Sequence, residues 1–157
     1  MVGLIVPEVK YNSEVTIEKP LSEVWYSYNN LEEVQHWIPE IKNWTKIKET
    51  PNRVGSQIEF VVQNNDQPMI MTETITLYEP ESKVGLRFET KTMKKEDMIL
   101  FRPFGQSTTI TGEHVCKGSN YLNRCIYAFF KNTFKKVDQN NLNQFKVYME
   151  SGDDKSR

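Results

Sequence analysis

The C-terminal part of the chain carries the longest apolar pattern in the sequence. Neither glycine nor proline occurs between Gly118 and Gly152, and apolar side chains recur there every three or four residues, as on one face of a helix. This stripe consists of Tyr127, Phe130, Phe134, Val137, Asn141, Phe145 and Tyr148. The pattern predicts a helix of roughly 30 residues, about 45 Å long, which would cross a small domain.

The apolar surface of this predicted helix changes side along its length. It widens toward Leu122 and Phe129 in the first half, and toward Leu142 and Met149 in the second. The change falls at the run 138–141, whose residues are poor helix formers, so we expect a bend there. Asn141 is then a candidate polar anchor, although its residue type favours a core asparagine satisfied by water.

The N-terminal third predicts one strand and two short helices. Residues 9–17 alternate loosely between apolar and polar, and Pro20 suits the first position of a helix. Asn30 and Glu33 have the spacing of a capping box that would start a second helix, which Pro39 would end.

From Gly55 onward the apolar period becomes 2, which predicts a meander of antiparallel strands. The stretch 37–44 before it is apolar but irregular, and we interpret it as a connection. The strand 97–101 is apolar on both sides, so its orientation stays open. The predicted strands are 57–63, 69–78, 84–89, 97–101 and 107–117.

This order predicts an α+β fold in which about seven antiparallel strands curl around the C-terminal helix. We expect a single domain over residues 1–150 and a disordered polar tail over 151–157. Twenty Lys and Arg residues against 21 Asp and Glu residues give a net charge of −1, which provides no field for collecting nucleic acid. No apolar run approaches the roughly 20 residues of a membrane span. We therefore expect a cytoplasmic protein without integral membrane association, whose Cys116 and Cys125 are buried thiols.

Several short motifs span nearly the whole chain, from the helix start after the first strand to the last helix. They are Lys19-Pro20-Leu21-Ser22-Glu23-Val24-Trp25, Trp37-Ile38-Pro39, Gly55-Ser56, Glu79-Pro80-Glu81-Ser82-Lys83, Gly105 to Thr111, and Asn141-Leu142-Asn143-Gln144-Phe145-Lys146. Taken together, these motifs resemble the SRPBCC superfamily, which includes START-type domains, and they are most similar to its polyketide cyclase and dehydrase-like branch. The resemblance implies the helix-grip fold, with an elongated apolar cavity between sheet and helix. Members bind lipids, hormones or pigments, cyclise polyketides or assist chaperones, so the resemblance does not imply one chemistry.

Two residues are candidates for catalysis. If Ile75 and Leu77 face the cavity, the strand period places Glu73 there too, where burial would raise its pKa and suit it to acid–base chemistry. His114 shares a strand face with Gly112, whose missing side chain would open space beside it. The structural alternatives are a solvated or ion-paired glutamate and a hydrogen-bonded core histidine.

The chain offers no motif for a metal or another cofactor. His36 and His114 are far apart, without HxxxH or CxxC spacing, so we expect no metal site and no bound cofactor. The mixed-sign runs 91–97 and 131–138 are predicted to be solvated faces.

Our leading hypothesis is a protein that binds a hydrophobic small molecule or lipid. Methionine and phenylalanine give a polarizable, adaptable lining, although a closed core that uses methionine as filler has the same composition. The alternatives are a cyclase, dehydratase or hydrolase in which Glu73 or His114 moves a proton, and an interaction module similar to chaperone activators. The predicted ligand-binding residues are Phe60, Met69, Met71, Phe88, Met98, Tyr127, Phe130, Phe134 and Asn141.

Overall fold

Seven antiparallel strands form one open sheet with the order β1-β7-β6-β5-β4-β3-β2. The computed structural model describes residues 8–64, 67–118 and 131–152. The strands are β1 (Val9–Ile17), β2 (Ile41–Lys48), β3 (Gln57–Asn64), β4 (Gln67–Glu79), β5 (Lys83–Glu89), β6 (Met93–Phe104) and β7 (Ser107–Gly118). The helices are α1 (Leu21–Tyr28), a single 3₁₀ turn (Val34–His36) and α2 (Lys131–Ser151).

The curved sheet, the C-terminal helix and the short helix after the first strand confirm the predicted α+β, helix-grip architecture. The second of the two predicted short helices is only the 3₁₀ turn. The predicted capping box is not formed, because the 3₁₀ turn begins after Glu33 without a side-chain cap. The Asn30 side chain instead accepts from the Glu32 N–H and donates to the Glu33 carboxylate.

The concave face of the sheet, called the inner face below, carries the core. β1 shows the reason, because its apolar residues alternate strictly with exposed ones. Inner-face residues of β1, β4, β5, β6 and β7 pack against Trp25 of α1 and against Leu142 and Phe145 of α2. Phe145 is fully buried.

Three strand predictions need correction. The stretch 37–44, predicted as a connection, contains the start of edge strand β2, whose alternation a β-bulge between Ile41 and Asn43 obscures. A second bulge, between Ile75 and Leu77, reverses the facing of β4 beyond Ile75. Tyr78 therefore packs against the core, and Leu77 does not.

The third correction concerns Met98 of β6, a strand whose orientation the sequence left open. Asp97, Ile99 and Phe101 are buried on the inner face. Met98 lies between them in the sequence and pairs with the exposed Glu113, so it occupies the outer face. The prediction that Met98 lines the cavity is wrong. Successive strand residues face opposite sides of the sheet, so Met98 cannot share the inner face with Asp97 and Ile99.

Helix α2 is continuous through residues 138–141, where we expected a bend. Its polar side chains instead satisfy the free edge of β1. The Gln139 amide accepts from the Glu14 N–H at 3.0 Å and donates to the Glu14 carbonyl at 2.7 Å. Lys146 Nζ donates to the Thr16 carbonyl at 2.6 Å. Residues 119–130 of the predicted helix lie outside the described residues.

The predicted boundary at residue 151 falls at the end of α2, since Ser151 is its last residue. Residues 153–157 of the predicted tail lie outside the described residues. Cys116 is fully buried, in agreement with its predicted position, and Cys125 lies outside the described residues. Among the described residues, no helix is long and apolar enough to cross a bilayer.

Candidate functional site

A polar cluster lies on the inner face where β1, β7 and β6 run side by side. The strand register places Tyr11, His114 and Asp97 directly opposite one another in a single row. Directly opposed residues share a sheet face, so their side chains meet under α2. The polar cluster consists of Tyr11, Ser13, Lys95, Asp97, His114 and Asp138.

His114 forms the centre of a Ser–His–Asp hydrogen-bond chain. Ser13 Oγ lies 2.7 Å from His114 Nε2, and His114 Nδ1 lies 2.8 Å from Asp97 Oδ1. The Tyr11 ring stacks on the imidazole with a centroid distance of 4.9 Å. All three members of the chain are less than a tenth exposed. The imidazole is therefore held in one orientation by partners on the two neighbouring strands, β1 and β6.

Gly112 makes the Ser13 to His114 contact possible. A Cβ atom at this position would lie 2.5 Å from both Ser13 Oγ and His114 Nε2, well inside van der Waals contact. The sequence predicts open space beside His114 at Gly112, and the structure places the Ser13 hydroxyl and the imidazole in that space.

Lys95 and Asp138 complete the cluster and connect it to α2. Lys95 Nζ lies 3.0 Å from Asp97 Oδ2 and 2.8 Å from Asp138 Oδ1. The Tyr11 hydroxyl donates to Asp138 Oδ2 at 2.5 Å. Oxygen and nitrogen atoms of Asp97, His114 and Asp138 approach one another as the ligands of a cation would. The Lys95 ammonium already supplies the positive charge between the two carboxylates.

The pKa values in the cluster follow from burial opposed by pairing. Burial disfavours the Lys95 ammonium, but the adjacent carboxylates outweigh it and raise its pKa. Burial likewise disfavours the Asp97 carboxylate, whereas Lys95 and the hydrogen bond from His114 bring its pKa below the ordinary value. Burial and the Asp138 charge raise the pKa of Tyr11. The cluster therefore holds Lys95, Asp97 and Tyr11 in fixed protonation states near neutral pH.

The charged runs 91–97 and 131–138 were predicted to be solvated, and this prediction is wrong at three residues. The side chains of Lys95, Asp97 and Asp138 are only 12%, 6% and 15% exposed. Alternation along β6 could have revealed this burial. If Ile99 faces inward, Asp97 and Lys95 face inward too, because alternate residues of a strand share a face. A single charged run does not reveal which residues face inward.

Glu73 occupies a different part of the inner face. It lies opposite Ile58 of β3 and Phe88 of β5, and two residues from the buried Ile75. Its side chain is half-buried and makes no hydrogen bond or ion pair within the described parts of the chain. Burial, reinforced by the negative charge of Asp97 and opposed to a smaller extent by the positive charge of Arg53, raises the pKa of Glu73 to about 7.

Two more polar groups lie inside the protein near this carboxyl. Burial raises the pKa of Tyr28 well above its ordinary value, and the charges of Asp97 and Glu73 add to the effect. The Trp37 ring lies 5.5 Å from the Tyr28 ring. Its Nε1 is buried without an acceptor among the described residues. Unpaired buried donors are rare, so the interior has hydrogen-bonding capacity to spare here.

Those of the remaining predicted ligand-binding residues that the structure describes lie in several separate places. Phe60 is buried opposite Met71 on the Glu73 side of the sheet, and Met69 near it is 43% exposed. Phe88 packs against the main core. Phe134 packs in a separate small cluster with Val9, Tyr11 and Cys116, and Asn141 is half-buried on α2. Tyr127 and Phe130 lie outside the described residues.

Hollows formed by described residues also occur on the outer surface. One, of about 690 Å³, lies between the start of α1 and the β6–β7 turn, lined by Lys19, Pro20 and Gly105 among others. Another, of about 670 Å³, follows the polar side of α2 from Asn132 to Asn143. Both are open, and neither contains Glu73 or a residue of the polar cluster.

Solved structures with the same fold include a START superfamily protein and an aromatase/cyclase. A START superfamily protein from Mycobacterium smegmatis aligns with 90% of this chain and 97% of its own, at a TM-score of 0.75 and 13% identity. The Zhui aromatase/cyclase from Streptomyces sp. R1128 covers 92% of this chain and 94% of its own, at 0.73 and 12%. Ara h 8.0201 covers 92% and 99%, at 0.73 and 9%. At these identities the likeness shows the fold, and it confirms the predicted START-like resemblance at that level.

Sequence comparisons add nothing to this assignment. No protein-family model matches the chain, and no curated protein sequence matches it. The function must therefore be argued from the inner face itself.

Proposed function

We propose that the protein binds a hydrophobic small molecule on the inner face, beside Glu73. The observation that carries this proposal is a carboxyl group without a partner in the described structure, set among half-buried apolar side chains. We call this region the Glu73 end; it comprises Ile58, Met69, Met71, Glu73 and Phe88. An apolar site with a few polar anchors is the usual form of a small-molecule site.

The composition of the Glu73 end supports this proposal. Met69 and Met71 are flexible and polarizable, and both remain partly accessible, unlike Ile75 in the closed core. The hydroxyl of Tyr28 and the indole N–H of Trp37 add hydrogen-bonding capacity on the side facing the helices. A guest placed here would contact sulfur and aromatic surface and meet a small number of polar groups.

A bulky side chain offers a direct test. Met71→Trp fills the inner face beside Glu73, whereas Ile70→Trp adds the same bulk on the outer face, where Ile70 is 50% exposed. Titration with an apolar fluorescent probe should show at least roughly tenfold weaker binding to Met71→Trp and unchanged binding to Ile70→Trp. Failure of the unmodified protein to bind the probe, or equal loss in both variants, contradicts the proposal.

An enzyme is the second candidate, and the raised pKa of Glu73 favours it. A carboxyl group with a pKa of about 7 can both donate and accept a proton near neutral pH. His114 is fully engaged by Ser13 and Asp97, so Glu73 is the better placed of the two predicted catalytic residues. The likeness to an aromatase/cyclase suggests cyclic or polyketide-like substrates for a first screen.

Loss of turnover tests this second candidate. Glu73→Gln keeps the shape of the side chain and removes its acid–base chemistry, so turnover of a responsive substrate should fall at least roughly 100-fold. Glu89→Gln, an exposed change on the same sheet, is the control. If turnover in Glu73→Gln equals that of the unmodified protein, Glu73 is not the acid or base.

A further inference from the structure

Two cations of the described structure, Lys95 and Arg53, belong to the surroundings of Glu73, and both have other partners. Lys95 lies in the same cross-strand row as Glu73, with Phe88 between them. Its Nζ atom is held by Asp97 and Asp138 at 3.0 and 2.8 Å. Arg53 lies over the Tyr78 ring at 4.7 Å and donates to its hydroxyl at 3.3 Å. The Arg53 charge favours the Glu73 carboxylate, but burial and the Asp97 charge outweigh it, and neither Lys95 nor Arg53 forms an ion pair with Glu73.

Carboxyl groups also outnumber ammonium groups among the side chains just named. Asp97, Asp138 and Glu73 contribute three carboxyl groups, and Lys95 contributes the one ammonium that lies between two of them. The Asp97 charge already acts on Glu73 and on Tyr28. A guest that brings an anionic group to this place adds repulsion, whereas a cationic group removes it.

We infer that the guest is an apolar amine, whose protonated amino group pairs with the Glu73 carboxylate while its hydrocarbon part covers Met71 and Phe88. This inference rests on the proposed binding function and narrows its ligand class. An ammonium group has three donors. The Glu73 carboxylate accepts one, and the Tyr28 hydroxyl oxygen, which lies within the field of Glu73, is a second acceptor. Charge-assisted hydrogen bonds of this kind are stronger than those of a neutral head group.

A matched series of head groups tests the inference. Dodecylamine, dodecanol and dodecanoate share one chain and differ only in the charge of the head, and each can displace an apolar fluorescent probe at pH 7. We expect dodecylamine to bind at least roughly tenfold more tightly than dodecanol, and dodecanoate to bind most weakly. In Glu73→Gln the ratio between amine and alcohol should fall close to one. In Glu89→Gln, on the same sheet but exposed, the ratio should stay as it is.

The outcomes separate this inference from the function on which it rests. Binding of dodecanol without preference for the amine, or a preference that survives in Glu73→Gln, overturns the inference and leaves the binding function standing. Tighter binding of dodecanoate than of dodecylamine also overturns it. Binding of none of the three compounds overturns both. A thermal unfolding curve for each variant shows that the altered protein is folded.

Discussion

Two regions of the same inner face differ in whether their charged side chains have partners. In the polar cluster, Lys95, Asp97 and His114 each have at least two partners, and Asp138 extends the network to the helix. At the Glu73 end, a carboxyl group of similar chemistry has none among the described residues. The first region is complete without a guest, and the second is not.

The difference lies in how neighbouring elements meet each region. The described part of α2 lies along β1 and brings Asp138 over Lys95. Ion pairs of this kind withstand burial only when every member is satisfied. The lesson is that a buried, hydrogen-bonded histidine is the weaker sign of function, and a desolvated carboxyl without a partner is the stronger one.

The largest effect should come from removing the cation of the polar cluster. Lys95→Met leaves Asp97 and Asp138 buried and close together without a positive charge between them. We expect the free energy of unfolding to fall by about 3–5 kcal/mol. Urea denaturation measures it, with the exposed Lys94→Met as control. An equal, small change in both variants would show that the cluster does not support the fold.

Glu73→Gln should act in the opposite direction and depend on pH. The folded-state pKa of about 7 lies above the ordinary value of 4.5, so ionisation of Glu73 costs stability as pH rises between these values. The variant should be more stable than the unmodified protein by up to about 3 kcal/mol at pH 8. The two proteins should be equally stable near pH 4, where the carboxyl is protonated in both the folded and unfolded states. A pH-independent difference contradicts this assignment.

Gly112→Ala should have an intermediate effect. The added methyl group meets Ser13 and His114 at 2.5 Å and forces them apart. Overpacking of this kind costs about 1–3 kcal/mol. Denaturation should show that loss, whereas Glu113→Ala, on the exposed face beside it, should change stability by less than about 0.5 kcal/mol. If Gly112→Ala is as stable as the control, the Ser13 to His114 contact is not tight.

The smallest effect should come from Ser13→Ala, which removes one hydrogen bond to His114 Nε2. We expect a loss of about 1 kcal/mol, the typical net value of a hydrogen bond. Binding of the apolar probe at the Glu73 end should not change, since Ser13 belongs to the polar cluster. Weaker probe binding in Ser13→Ala would show that the two regions are coupled.

Much of the fold was predictable because its signals are local. The alternation in β1, the Pro20 helix start and the long apolar helix each depend on residues close together in sequence. The candidate site was predictable only in part. Glu73 and His114 were named from their strand positions, and the space at Gly112 was anticipated. The other members of the polar cluster were missed: Tyr11, Ser13, Lys95, Asp97 and Asp138. Contacts within the cluster join residues up to 127 positions apart, and nothing in their local sequence indicates the pairing.

The sequence alone therefore determined the element order, the helix-grip architecture and the presence of Glu73 on the inner side of its strand, because period and turn chemistry are short-range properties. Tertiary structure decided which charges are paired. The bulge after Ile75 set where the inner face of β4 ends, and the register of β6 turned Met98 outward and Lys95 inward. The position of α2 then brought Asp138 to Lys95, whereas Glu73 has no ion-pair partner among the described residues. Pairing depends on distances between strands and helix that no local pattern encodes.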